Sequence, residues 1–116
     1  MRHEDSIEEM KIAIDECLPK RLKNLFAGDE AYTIVQMRLG GLKDGPLLEE
    51  LAKRGIDCFI TIDGNMEYQQ RLARQPFCTV ILRCASNRYA DLLPLQEALM
   101  QAVDQCRPGE IAHVPF

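Results

Sequence analysis

A chain of 116 residues, 47% hydrophobic and 28% charged, holds one domain's worth of core and is neither an intrinsically disordered tail nor a fibre. Its apolar runs, such as Phe77 to Leu82, fall far below the roughly 20 residues a membrane helix needs. The net charge of -4 argues against tight electrostatic binding of duplex nucleic acid, which goes with a basic surplus.

The acidic surplus is unevenly placed. Residues 1–9, MRHEDSIEE, set Arg2 against Glu4, Asp5, Glu8 and Glu9 and carry -3 of the -4. From Met10 onward 13 basic residues face 14 acidic ones. Residues 1–9 are therefore expected to be a disordered extension ahead of a single domain spanning 10–116.

The first strand is expected over Lys11–Asp15, followed by a turn at Asp15-Glu16-Cys17. Leu18–Phe26 reads as a helix, with Pro19 near its first position and Leu18, Leu22, Leu25 and Phe26 on one face. Ala31–Val35, rich in β-branched and aromatic residues, is the second strand. A glycine-bearing loop from Gln36 to Gly45 leads into a helix that runs to Arg54 and closes at Gly55. Asp57–Ile62 is a third strand, apolar enough to be covered on both faces. Asp63-Gly64-Asn65 is a turn, with Asn65 capping a short helix to about Ala73. Phe77–Arg83 is a fourth buried strand. A long helix over Asp91–Cys106 repeats apolar residues at Leu92, Leu95, Leu99 and Val103, and Glu110–Val114 is an edge strand.

Strand–helix alternation of this kind predicts a three-layer α/β/α sandwich around a mostly parallel sheet, in the order 2-1-3-4 plus the edge strand. The five cysteines never form CxxC, and with no signal peptide in view they read as the thiols of a reduced, cytoplasmic protein. His3 and His113 lie at opposite ends of the chain, which argues against a zinc centre.

Open parallel sheets bind ligands beyond the carboxyl ends of their strands, where the strand order reverses. In the expected order the first and third strands are neighbours, so Asp15 and Asp63 face each other across that point. Two such carboxylates repel unless a proton or cation lies between them, and a hard divalent ion, Mg²⁺ or Mn²⁺, suits oxygen ligands. Glu16 and Asp44 are candidates to assist, although Asp44 before Gly45-Pro46 also reads as a helix cap. Lys20, Arg21, Lys23, Arg71 and Arg74 read as solvated cations. Arg83, Asn87 and Arg88 follow a buried strand on the same rim and could seat a phosphodiester, with Asn65 a further substrate contact.

The segments MKIAIDECLPKRL (10–22), GLKDGPLLEELA (41–52), CFITIDGNMEYQQRL (58–72), VILRCASNRYADLLPL (80–95) and PGEIAHVP (108–115) together resemble a domain-of-unknown-function family of short bacterial PIN-like proteins, related to VapC-type toxin ribonucleases. The resemblance covers essentially everything after Met10. It implies a PIN-like fold and a metal-dependent endoribonuclease, the toxin of a toxin–antitoxin module, with RNA as substrate, a cognate antitoxin as partner and a homodimer as an assembly open to it. It also implies Asp15 and Asp63 as the metal-binding, catalytic acids, with Glu16 and Asp44 as weaker matches.

Two other readings compete. A receiver-like phosphoacceptor domain would use the acids after strands one and three, but the last strand, Ile111-Ala112-His113-Val114, lacks the expected lysine. A catalytically silent PIN-like module would act through protein contacts alone.

Overall fold

In a computed structural model, which describes residues 10–26, 28–84 and 86–115, the chain forms a five-stranded, all-parallel sheet in the order β2-β1-β3-β4-β5. The strands are β1 (Lys11–Ile14), β2 (Glu30–Thr33), β3 (Cys58–Thr61), β4 (Cys78–Leu82) and β5 (Ile111–Val114). The expected strand order and edge strand are both present. The extension expected at residues 1–9 lies outside the described residues.

Alternation along the strands feeds two cores, one on each face. Ile12, Ile14, Cys58, Ile60, Cys78, Val80 and Leu82 point to one side, and Ala13, Phe59 and Ile81 to the other. The first side is closed by a 3-10 helix (Lys20–Phe26) and the helices α3 (Tyr89–Leu92) and α4 (Gln96–Gln105). The second is closed by α1 (Asp44–Lys53) through Leu47, Leu48 and Leu51, and by α2 (Met66–Leu72) through Tyr68 and Leu72. Covering on both faces explains why β3 and β4 are apolar throughout, their threonines included among buried residues. Phe59 and Phe77 meet edge to face, with ring centroids 6.3 Å apart.

Helix boundaries depart from the sequence reading in three instructive places. The helix expected over Leu18–Phe26 is a 3-10 helix from Lys20, opened by an i→i+3 bond in which Leu22 N–H donates to the Pro19 carbonyl at 3.0 Å. The segment is too short for α-helix propensity to dominate, and its buried residues are Leu22 and Phe26. The helix expected over Asp91–Cys106 starts at Tyr89 and passes through a 3-10 turn, Leu93–Leu95. Pro94 at its centre brings no backbone N–H to the ladder. Asp44 is the first residue of α1 rather than its cap: Lys43 holds the cap position, and no side-chain bond is made there.

All five cysteines are free thiols, with Cys58, Cys78 and Cys106 buried. No helix among the described residues is long and apolar enough to cross a membrane.

Candidate functional site

The strand order reverses between β1 and β3: β1 is flanked by β2 on one side and β3 on the other. Asp15 follows the last residue of β1, and its N–H donates to the Ile60 carbonyl on β3 at 2.9 Å. That bond holds the end of β1 against β3 and fixes Asp15 at the rim. Each carboxylate oxygen of Asp15 accepts a hydrogen bond from the chain itself. Its Oδ1 accepts the Glu16 N–H at 2.8 Å, and its Oδ2 accepts the Thr61 hydroxyl at 2.7 Å.

Thr61 closes β3 and is completely buried. The same hydroxyl that donates to Asp15 accepts the Asp63 N–H at 3.1 Å. One oxygen therefore ties the two acids together across the point of strand reversal. Asp63 is exposed, and its Oδ1 accepts the Asn65 N–H at 3.1 Å. Asn65 in turn accepts the Tyr68 N–H on its Oδ1 at 3.2 Å, capping α2 as its position after a turn suggested.

Burial is the largest influence on Asp15 and raises its carboxyl above the ordinary carboxylate value; the Thr61 hydroxyl and the Glu16 N–H oppose the rise, and the Glu16 charge adds to it. Beside it, burial and then the Asp15 charge push the Cys17 thiol up to about 11. Tyr68 is 4% exposed, and its phenol is held far above its usual range by burial and then by the charges of Asp15, Asp44 and Asp63. The charges of these three acids thus act on one phenol. Asp44, at the exposed start of α1, belongs to the same electrostatic locus as the strand-end pair.

Glu16 is turned toward the loop after β2. Its Oε1 lies 3.5 Å from the Gly41 N–H, and its Oε2 would lie 3.3 Å from a Cβ at Gly40. Gly41 has φ +82°, a conformation that side chains resist, so both glycines serve this approach. Among the described residues, no three His, Cys, Asp or Glu side chains converge as a ready-made metal cage.

The candidate phosphate contacts are spread along the rim. Asn87 donates its amide to the Cys17 carbonyl at 2.7 Å, pinning the turn that carries Asp15 and Glu16. Arg88 is exposed at the cap position of α3, with its N–H on the Ser86 hydroxyl at 3.2 Å. The Ser86 hydroxyl donates to the Asp91 carboxylate. Arg83 lines a cavity of about 250 Å³ together with Gly64, Gln69 and His113, beyond the ends of β3, β4 and β5.

Sequence reasoning missed Thr61 and Tyr68. A lone hydroxyl in the apolar run CFIT, two residues before a strand-end acid, was the available signal for Thr61. For Tyr68 there was none, because its role depends on how α2 folds back over β3. Searches of family models, of curated proteins and of solved structures gave no match.

Proposed function

We propose that this chain is a metal-dependent endoribonuclease of PIN-like fold, the cytoplasmic toxin of a toxin–antitoxin pair, with RNA as substrate and a cognate antitoxin as partner. The observation that carries the reading is the Thr61 hydroxyl joined to both Asp15 and Asp63 at the strand-reversal point. The donor set fits Mg²⁺ or Mn²⁺: these are hard oxygen ligands, one of them a desolvated carboxylate that gains from a neighbouring cation. Mg²⁺ commonly takes only one or two protein carboxylates and leaves its other positions to water and substrate phosphate.

Asp15 and Asp63 would hold the ion, which when bound supplies charge neutralisation at the scissile phosphodiester and an activated water. Thr61 orients Asp15 by donating to Oδ2, so that Oδ1 and the free lone pairs face the rim. Asp44 and Glu16 add negative charge around the same point and favour cation capture. Asn87 acts by holding the Asp15–Cys17 turn, and Arg83 and Arg88 stand on the rim as phosphate contacts. In this reading RNA is cut by addition of water to phosphorus and departure of the sugar oxygen, with the leaving oxygen protonated by solvent. Homodimers are an assembly this reading accommodates.

The test is cleavage of end-labelled RNA by the purified chain with Mn²⁺, alongside Asp15→Asn and Asp63→Asn. Cleavage by the wild type and loss in both variants supports the assignment. Equal cleavage by all three contradicts it, and no cleavage by any of them favours a silent protein-binding module.

A further inference from the structure

Glu16 also lines a cavity of about 530 Å³, the size of many small-molecule sites. Its walls include Glu16, Leu18, Lys20, Arg21, Lys23 and Val35. Three cations from a run of four residues therefore reach one hollow, although the chain as a whole is acidic. For two of them the 3-10 pitch is the reason: side chains at i and i+3 eclipse, so Lys20 and Lys23 stand one above the other on the same side. At α-helical pitch the same pair would diverge by about 60°.

Arg21 is held in place by stacking, its guanidinium carbon 4.4 Å from the centre of the Tyr89 ring. The lining also includes Val35, 65% exposed although β-branched and apolar. A lining that combines cations with apolar surface suits a nucleoside phosphate: phosphate against Lys20 and Lys23, sugar and base against Val35 and Leu18. Glu16 belongs both to this lining and to the turn after Asp15, so the cavity adjoins the turn that carries the acid.

We infer that this cavity is a nucleotide subsite for single-stranded RNA, holding a nucleotide that flanks the one positioned at Asp15 and Asp63. The inference rests on the nuclease reading for its placement beside the scissile bond, but binding itself needs no metal. It predicts a strand-binding site whose cations lie on the 3-10 helix.

The experiment is fluorescence anisotropy of a labelled single-stranded oligouridylate in EDTA, so that no cleavage intervenes, with AMP as competitor. Lys20→Glu/Lys23→Glu is expected to weaken binding roughly tenfold or more and to flatten the salt dependence by about 1.4 in the log–log slope. Lys53→Glu on α1, a cation already beside Glu49 and Glu50, is the control and leaves binding unchanged. Val35→Trp, at an exposed position the fold does not need, fills the cavity and is expected to weaken binding too, which keeps the test valid should the double charge reversal unfold. Oligonucleotide binding that both variants leave intact overturns the inference, as does no oligonucleotide binding by the wild type; AMP binding without oligonucleotide binding assigns the cavity to free nucleotides and overturns the strand. Loss of binding in both variants, with no Mn²⁺-dependent cleavage by the wild type, upholds the subsite and removes the nuclease reading alone.

Discussion

The Thr61 hydroxyl donates to Asp15 Oδ2 at 2.7 Å, joining the last residue of β3 to the first residue beyond β1. Because the same oxygen accepts the Asp63 N–H, the buried threonine behaves as a positioning residue for both acids. Thr61→Val keeps the shape and removes the oxygen. It leaves the Asp63 N–H without its acceptor and Asp15 with one donor fewer, at a cost of about 1–3 kcal/mol in stability. Urea denaturation checks the stability, and Mn²⁺ titration checks a weakening of roughly 10–100-fold, the usual effect of losing a group that orients a metal ligand.

Asn87 reaches across the rim to the Cys17 carbonyl. Asn87→Ala is expected to lower stability by about 1 kcal/mol, the worth of one such bond, and to loosen the turn that carries Asp15 and Glu16. If Asn87 served substrate instead, the same substitution would spare the unfolding midpoint and weaken RNA binding. Thermal unfolding and anisotropy on the one variant separate the two roles.

Burial raises the Asp15 carboxyl above its ordinary value of 3.8, so the folded chain keeps this proton to higher pH than the unfolded chain does. The folded state therefore binds more protons in the window just above 3.8, and stability from this group falls as pH rises through it. Asp15→Asn does not titrate and lacks that fall. Urea midpoints of wild type and variant, followed from acid to neutral pH, should diverge in this direction. Mn²⁺ affinity should rise over the same window, since cation and proton compete for one carboxylate.

The Cys17 thiol, near 11, is protonated at neutral pH and is expected to alkylate slowly although partly exposed. The Asp15 charge is the second cause of that elevation, after burial. Asp15→Asn should speed iodoacetamide labelling of Cys17 severalfold, read by mass spectrometry of its peptide against Cys84 as an internal reference. An unchanged ratio would show that the Asp15 charge does not act on this thiol.

The architecture was legible because each strand and helix announces its own period. The strand order is the one expected of an alternating α/β sheet, and the apolar runs at β3 and β4 mark strands that a doubly covered sheet buries. That order sets Asp15 and Asp63 beyond the ends of neighbouring strands. What stayed hidden was finer geometry. Whether KRLKNLF takes 3-10 or α pitch depends on how Leu22 and Phe26 dock, and pitch decides that Lys20 and Lys23 line one cavity rather than a solvated face. The Asn87–Cys17 bond spans 70 positions and leaves no local trace. Asp44 was readable as an acid before a helix, but its part in the field around Tyr68 comes from the approach of α1 to α2, which no local pattern encodes.

The central claim is that Asp15 and Asp63 together hold a divalent cation. Calorimetric titration of Mn²⁺ into the wild type, Asp15→Asn, Asp63→Asn and the exposed-helix control Glu49→Gln tests it without reference to any substrate. The account predicts binding by the wild type and Glu49→Gln, and a loss of at least roughly tenfold in affinity in each aspartate variant. Wild-type binding unaltered by both aspartate substitutions, or no binding by the wild type at millimolar Mn²⁺, would contradict it.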